Sequence, residues 1–371
     1  MRAVSSYLRW PVAASLLMSA VAAQPVSAQS FSGPRPSRWT LEVYGGQTTA
    51  SISTSGSPVP QFPVGPATVT EAGSASRLQS SWYFGDGARM LNDALAEFAR
   101  INGGTFPRII PLDAALTANA LTQSSGVTLG VRLGRSLTPR LAIEVAAERL
   151  STPLMFTDAF TEALRASSDS FESAFQGLFE SAPVTTLDVT SSLDASGENG
   201  RDTRVTTALR YTLLQRGRLT AYATAGGGIT RSGDDTPKAQ LVGSYSFRYV
   251  GTLPIRERDR TFATVERPST QLTGLLGGGV TYDVSDRVGI RADVRIALSS
   301  NRASLRINSS PDITPQLATT VMSSMTTPGL QFSSRPGVPS SLSGMDSSLT
   351  TFTSSGINRH VSVTIGLFRR F

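Results

Sequence analysis

The last twelve residues decide the fold, and from His360 to Phe371 they read His-Val-Ser-Val-Thr-Ile-Gly-Leu-Phe-Arg-Arg-Phe. Apolar side chains alternate here with small or polar ones. A period of two predicts a β-strand with one apolar and one polar face. The terminal Phe falls on the apolar face, so this face is available to lipid or to the core of a sandwich.

Seven further segments show the same alternation, and they cover residues 38–49, 127–133, 141–147, 205–213, 219–229, 271–284 and 288–298. Three of the connections are turns of a few residues. The other four are long, at about residues 50–125, 151–202, 230–270 and 299–358. An even strand number with alternating short turns and long loops is typical of membrane barrels. The sequence therefore predicts an all-β membrane protein, an antiparallel up-and-down transmembrane β-barrel of eight strands.

A ninth and a tenth strand are the alternative. Residues 239–250 alternate strongly, and residues 261–266 form a possible partner arm. The second arm is short for a spanning strand, so we interpret the pair as an extracellular β extension. Two helices are predicted in the loops, one after Asp86 with a stripe that includes Ile101, and one from Thr157 to Phe179. The last loop is rich in Ser, Thr and Pro, which predicts a mobile segment.

The terminal strand resembles the signal strand of bacterial outer-membrane barrels, with Ile365, Gly366, Leu367 and Phe371 in the matching positions. That resemblance implies recognition by the barrel-assembly machinery during biogenesis. The topology resembles the small outer-membrane protein A-type and opacity-type barrel families. It implies a location in the cell outer membrane, with outer-membrane lipid and lipopolysaccharide as the surroundings.

The N-terminus has the pattern of a secretory signal peptide. Arg2 and Arg9 precede an apolar stretch at 12–23, and Val26-Ser27-Ala28 offers the small residues that a signal peptidase reads. The apolar stretch is too short for a membrane helix. No twin-arginine pair precedes it, so we expect the general secretion pathway. The predicted domains are a cleaved signal at 1–28 and a single barrel domain at 29–371.

Composition limits the possible chemistry. The chain has no Cys and one His, which removes thiol chemistry and His-cluster metal sites. No phosphate-binding Gly loop or other cofactor motif is present, so no cofactor is expected. The net charge is +7, but the arginines are spread along the sequence, and nucleic acid is not a predicted partner.

Charged residues occupy the polar face of the predicted strands and should point into the lumen. This set comprises Glu42, Arg132, Glu144, Glu148, Arg210, Arg291, Asp293 and Arg295. An eight-stranded barrel has an interior that side chains just fill, and unpaired buried charges are costly. We expect an ion-pair network that closes the barrel. The alternative is a narrow gated pathway in which Arg291 and Arg295 favour anions.

His360 and Ser362 resemble superficially the His-x-Ser motif of the outer-membrane lipid A deacylases, which are also eight-stranded barrels. Those enzymes need a carboxylate after the motif, and neither Asp nor Glu follows His360. The pair also falls on the lumen side of the strand. Three functions are therefore weighed. We expect a structural and surface-interaction protein that is not an enzyme and whose extracellular loops meet a partner. A narrow porin-like channel or carrier of small solutes is the alternative, and a lipid-modifying enzyme is the third.

Overall fold

The computed structural model describes residues 39–51, 67–69, 75–116, 120–196, 200–233, 236–250, 253–314, 324–327, 329–335, 337–353 and 356–371. The predicted signal peptide lies outside these ranges. In chain order the strands are β1 (Trp39–Ser51), β2 (Ala67–Val69), β3 (Ala75–Arg77), β4 (Leu121–Gln123), β5 (Gly126–Ser136), β6 (Leu141–Ser151), β7 (Leu154–Phe156), β8 (Val184–Ser196), β9 (Arg201–Arg216), β10 (Leu219–Ser232), β11 (Lys238–Tyr249), β12 (Ile255–Glu266), β13 (Thr270–Asp283), β14 (Val288–Asn301), β15 (Ser304–Ser309), β16 (Ser324–Thr327), β17 (Leu330–Ser333), β18 (Ser347–Thr353) and β19 (Gly356–Arg370). The helices are α1 (Gly85–Asn102) and α2 (Asp158–Glu180), with a 3-10 turn at Asp113–Ala115. In the described part of the chain, no helix has the length and apolarity needed to cross a membrane.

Eight strands close into a barrel in the order β1-β19-β14-β13-β10-β9-β6-β5. Every neighbouring pair is antiparallel, and β5 returns to pair with β1. The short connections are residues 137–140, 217–218 and 284–287. Gly217 has φ of 56°, the left-handed conformation that a two-residue hairpin turn requires. The prediction of an eight-stranded antiparallel barrel is confirmed.

The outer surface of the barrel is apolar because alternate residues of each strand point away from the lumen. Ile365, for example, exposes 65% of its surface although it lies in the middle of β19. Other exposed apolar residues of the barrel strands include Leu41, Val43, Leu129, Val131, Val145, Leu209, Leu276, Ile290, Val294, Val363 and Leu367. Such a surface is stable only when hydrocarbon covers it.

Aromatic side chains gather at the end of the barrel that carries the short turns. Trp39 begins β1, Tyr211 and Tyr282 lie near the ends of β9 and β13, and Phe371 is the last residue; all four are exposed. The backbone N–H of Phe371 donates to the carbonyl of Trp39 at 3.0 Å. Girdles of aromatic residues mark the membrane interface in barrels of this kind.

The described parts of the four long connections, within residues 52–125, 152–200, 233–269 and 302–355, fold against one another. Their main sheet has five antiparallel strands in the order β18-β15-β12-β11-β8. We call this sheet, with α1, α2 and the segments packed on it, the loop domain. The interpretation of 239–250 and 261–266 as a β extension is right, because β11 and β12 pair in this sheet and not in the barrel. The last connection contains β15, β17 and β18, so the mobile segment predicted there is wrong for these residues.

The loop domain has a hydrophobic core to which every long connection contributes. Trp82 comes from the first connection, Phe175 and Phe179 from α2, Phe247 from β11 and Phe332 from β17. The rings of Phe179 and Phe247 stack with centroids 4.2 Å apart, and Phe332 meets Phe247 edge-on at 5.5 Å. Aromatic contacts of this kind join connections that lie far apart in the sequence.

Both helices occur where the apolar spacing predicts them. Thr157 caps α2 by accepting a hydrogen bond from the backbone N–H of Phe160 at 3.3 Å. In α1, Leu91 and Leu95 are buried as expected. Ile101 is 57% exposed, so its assignment to the buried stripe is wrong. The helix ends one residue later, at Asn102, and its last turn projects beyond the core.

Candidate functional site: the barrel lumen

The inner face of the barrel gathers all eight charged residues that the alternation assigns to it. Glu42 and Arg132 are direct cross-strand partners on β1 and β5. Arg291, Asp293 and Arg295 follow one another at every second position of β14, which keeps all three on the inner face. The narrow diameter of eight strands then brings side chains from opposite walls into contact.

Arg291 and Arg132 form the centre of the network. Arg291 binds Glu144 through two parallel hydrogen bonds, from Nη1 to Oε1 at 2.7 Å and from Nη2 to Oε2 at 3.1 Å. Arg132 Nη1 donates to Glu42 at 2.9 Å and to Asp293 at 2.8 Å. Both arginine side chains are almost fully buried, and that of Arg132 is 1% exposed. Charge-assisted pairs of this geometry are the strong ones.

Arg295 and Arg210 complete the cluster. The Nη2 atom of Arg295 lies 3.4 Å from both Glu144 and Asp293, and Nη1 of Arg210 lies 3.1 Å from Glu144. Four guanidinium groups therefore face three carboxylates, which leaves one excess positive charge in the cluster. The charges are compensated mainly by one another, and the pairs join side chains from opposite walls of the barrel.

Glu148 lies outside this cluster and contacts residues that the sequence analysis did not include. Its carboxylate accepts from Tyr44 Oη at 2.8 Å and pairs with Arg204 Nη1 at 3.4 Å. Tyr44 also lies under the guanidinium of Arg132, at 4.5 Å from the ring centroid. Arg204 and Arg210 are an even number of residues apart on β9, so the alternation alone indicates that Arg204 also points into the lumen.

A second tyrosine supports the other side of the network. Tyr222 accepts a hydrogen bond from Arg291 Nε at 2.6 Å, and the guanidinium of Arg291 stands 4.4 Å above its ring. A Cβ atom on Gly279 would come within 2.6 Å of Asp293 Oδ1, and one on Gly366 within 2.5 Å of Glu42 Oε1. These two glycines are needed because any larger residue would displace the ion pairs.

A small polar cavity lies at the end of the lumen that meets the loop domain. Its volume is about 20 Å³, enough for one water molecule, and its lining includes Asp202, Arg267, Asn358 and His360. The Nδ1 atom of His360, Oδ1 of Asn358 and Nε of Arg267 are buried without a hydrogen-bond partner. An ordered water here would satisfy several of them at once.

His360 and Ser362 both point into the lumen and not towards lipid. Among the described residues, no group of three or more His, Cys, Asp or Glu side chains is placed to hold a metal ion. The acidic groups of the central cluster are each engaged by an arginine.

A closed antiparallel barrel with an apolar exterior, an aromatic girdle and a charged interior is the architecture of outer-membrane proteins. The chain is thus an eight-stranded transmembrane β-barrel of the outer-membrane type.

Comparisons with known proteins give distant structural similarity only. No family model matches the sequence, and no curated protein matches it. The chain is similar to the outer membrane protein OprG from Pseudomonas aeruginosa, with 9% identity, a TM-score of 0.34, and coverage of 91% of this chain and 97% of that chain. For the outer membrane protease OmpT from Escherichia coli the identity is 7%, the TM-score 0.30, and the coverage 93% of this chain and 99% of that chain. With TM-scores below 0.5, the fold assignment depends on the strand pairing described above.

Proposed function

We propose that this protein is a surface-interaction protein of the cell outer membrane, in which a closed barrel anchors the loop domain outside the cell. The ion-pair network in the lumen is the observation that carries this proposal. Paired arginines and carboxylates from opposite walls meet in the middle of the barrel, and we infer that they block a continuous passage. The working surface would then be the loop domain and not the lumen.

The loop domain supports the same proposal. Loops that only connect barrel strands have no need of a shared hydrophobic core. Here four connections bury aromatic residues together and build a separate five-stranded sheet. That construction holds an exposed surface in a defined shape, as recognition of a partner requires.

Conductance in a planar bilayer tests the proposal. The mature chain, Gln29 to Phe371, is refolded and inserted, and we expect insertion without conductance steps. The variant Arg291→Ala with Arg295→Ala removes two guanidinium groups from the network and should raise the frequency of openings. Arg287→Ala, in an exposed short turn, is the control and should stay silent. Reproducible steps from the wild-type protein would refute the closed-barrel proposal.

A narrow channel or carrier is the second candidate function. The polar cavity near His360 favours it, because a polar cavity at one mouth of the lumen is one part of a pathway. In this case Arg291 and Arg295 form the barrier, and their rearrangement admits small anions. Wild-type steps that grow larger or lose anion selectivity in the Arg291→Ala, Arg295→Ala variant would support the channel.

The terminal strand fits a role in assembly. β19 closes the barrel between β1 and β14, and Phe371 is exposed at the rim beside Trp39. We infer that Ile365, Gly366, Leu367 and Phe371 form the signal that the barrel-assembly machinery reads after export through the general secretion pathway. The apolar faces of Ile365 and Leu367 remain accessible before the barrel meets lipid.

A further inference from the structure

Strand β12 divides its residues strictly between the two faces of the loop-domain sheet. Glu257 and Asp259 point into the core and are buried, whereas Arg256 and Arg258 point outward and are exposed. The neighbouring strand β11 adds Arg248, which is also exposed. Arg248, Arg256 and Arg258 are named the tip arginines below. They take no part in the core or in the lumen.

The tip arginines lie at the end of the β11–β12 hairpin that is farthest along the chain from the barrel. Residues 233–237 connect barrel strand β10 to the start of β11, and residues 267–269 connect the end of β12 to barrel strand β13. The turn between the two arms, residues 250–254, is therefore at the opposite end of the hairpin. The tip arginines therefore lie at the end of the hairpin that is not connected to the barrel strands.

The strand register places the tip arginines in one patch. Arg256 is opposite Ser246, and Arg258 is opposite Ser244, while Arg248 is two residues beyond Ser246 on the same face. Alternate residues of a strand are about 6.6 Å apart, and diagonal neighbours on adjacent strands about 7–8 Å apart. Three long, flexible guanidinium side chains at this spacing can converge on the same anionic segment.

Other arginines of this face are paired, but the tip arginines are not. Arg260 contacts Asp312 at 3.2 Å, and Arg306 contacts Glu266 at 2.9 Å. Among the described residues, none of the tip arginines has an ion-pair partner; Arg258 Nε donates to the hydroxyl of Ser244 at 3.3 Å. Unpaired like charges side by side on a sheet are unfavourable, and a bound anion would relieve them.

Two carboxylates lie near the patch. Asp312 is opposite Arg258 in an isolated β-bridge, and its side chain pairs with Arg260 at 3.2 Å. Asp188 on β8 is opposite Ser246, which makes it a diagonal neighbour of Arg248, whereas a whole strand separates it from Arg256. At about 4.8 Å for each strand step, the two backbones are about 10 Å apart. Asp188 and Asp312 flank the patch on two sides. The three tip arginines and Arg260 outnumber these two carboxylates, so the patch keeps an excess of positive charge.

The chemistry of the patch indicates the class of partner. Guanidinium groups bind sulfate, phosphate and carboxylate through two parallel hydrogen bonds. The hydroxyls of Ser244, Ser246 and Thr190 share the same face and suit the hydroxyl groups of sugars. We propose that the tip arginines form a binding site for an acidic polysaccharide outside the outer membrane. This inference rests on the proposed surface-interaction function and names its partner class.

Retention of the refolded full-length mature protein on immobilised polysaccharide tests the site. The probes are heparin, which is sulfated, alginate, which is carboxylated, and neutral dextran. We expect wild-type binding to heparin and alginate, no binding to dextran, and weaker binding as salt screens the charges. The triple variant Arg248→Gln, Arg256→Gln, Arg258→Gln should lose at least about tenfold in affinity, as expected for the loss of charge-assisted contacts.

A matched variant removes the same charge elsewhere on the loop domain. Arg165→Gln, Lys238→Gln, Arg306→Gln also loses three positive charges, and its affinity should stay within about twofold of wild type. Equal losses in both triple variants would mean that only net charge matters and would overturn the site. Single-stranded DNA serves as a competing polyanion, and tighter binding to DNA than to either acidic polysaccharide would overturn the proposed partner class.

The two proposals fail in different ways. A silent barrel whose triple tip variant binds heparin and alginate as wild type does would refute the polysaccharide site and leave the anchoring function intact. A conducting barrel whose tip variant loses binding would refute the closed lumen and support the site. Each variant is first checked for the heat-dependent gel shift of a folded barrel, so that misfolding is not read as lost binding.

Discussion

Two carboxyl groups in the core of the loop domain should make its stability depend on pH. Glu257 accepts a hydrogen bond from Tyr245 Oη at 2.6 Å and another from the hydroxyl of Ser340. Tyr245 in turn accepts one from Trp82 Nε1 at 3.1 Å. Burial raises the pKa of Glu257 from its ordinary 4.5 to about 7, although the two hydrogen bonds to its carboxylate oppose that rise. The protonated carboxyl is therefore favoured in the folded domain.

A second buried carboxyl with a raised pKa, that of Asp259, lies two residues further along β12. Asp259 accepts from Ser81 Oγ at 2.8 Å and from the backbone N–H of Trp82 at 2.6 Å. Burial raises its pKa from 3.8 to about 7. Both carboxyls join β12 to segments from other connections, so ionisation of either one loads the centre of the domain with an uncompensated charge.

The size of the pH effect on stability follows from the difference between the unfolded and the folded pKa of each carboxyl. Each pH unit between the unfolded and the folded pKa corresponds to about 1.4 kcal/mol. For Glu257, the interval from 4.5 to about 7 gives about 3 kcal/mol, and Asp259 contributes a similar amount. Within this window the folded state holds protons that the unfolded state has lost. The contribution of the two carboxyls to the free energy of unfolding is complete below about pH 4, decreases as the pH rises, and is absent above about pH 7.

Fluorescence of Trp82 measures this effect. The variant Trp39→Phe leaves Trp82 as the only tryptophan of the mature chain, since Trp10 lies in the predicted signal peptide. We expect denaturant unfolding of the loop domain at a lower midpoint at pH 8 than at pH 5. Glu257→Gln should remove about half of the difference, and Glu257→Gln with Asp259→Asn most of it. The control is Glu266→Gln, an exposed residue of the same strand. A midpoint that is the same at pH 5 and pH 8, or higher at pH 8, would refute the reasoning.

Three further predictions concern the barrel. Arg291→Ala leaves Glu144 without its bidentate partner and should destabilise the barrel by about 3 kcal/mol, measured by urea-dependent loss of the gel shift; an unchanged midpoint contradicts the network. Ile365→Arg on the lipid face should cost about 2–4 kcal/mol in the same assay, and a neutral result would mean that this face does not meet hydrocarbon. Phe371→Ala should lower the amount of folded barrel in cells, while refolding into detergent in vitro stays near wild type. Equal amounts in cells would exclude the terminal aromatic as an assembly signal.

The local alternation of residues was sufficient to predict most of the barrel. A period of two can be read within a single strand. It predicts the number of strands, the alternation of short turns with long loops, and the inward direction of Glu42, Arg132 and Arg291. The same period of two also indicates the inward direction of Arg204. It places Tyr44 and Tyr222 on the polar face as well, but alternation alone does not reveal that these rings contact arginines.

The loop domain could be predicted only in pieces. The spacing of Phe171, Phe175 and Phe179 indicates a helix, and the alternation in 239–250 indicates a strand. Their packing against Trp82 and Phe332 brings together residues that are far apart in the chain. No local period encodes such contacts. The Ser- and Thr-rich composition around β15 and β18 predicts a mobile segment, yet both strands are ordered. Their order comes from pairing with neighbouring strands in the sheet, which composition does not encode.

The sequence by itself determined a transmembrane barrel, since a strand that must satisfy its backbone in lipid and face water inside has to alternate. It also determined which charges face the lumen. Only the tertiary structure decided which carboxylate meets which guanidinium, because that depends on the register of strands on opposite walls. Likewise, only the tertiary structure joined four loops into a domain with two buried acids inside and three unpaired arginines outside, because long-range packing sets both faces of its sheet.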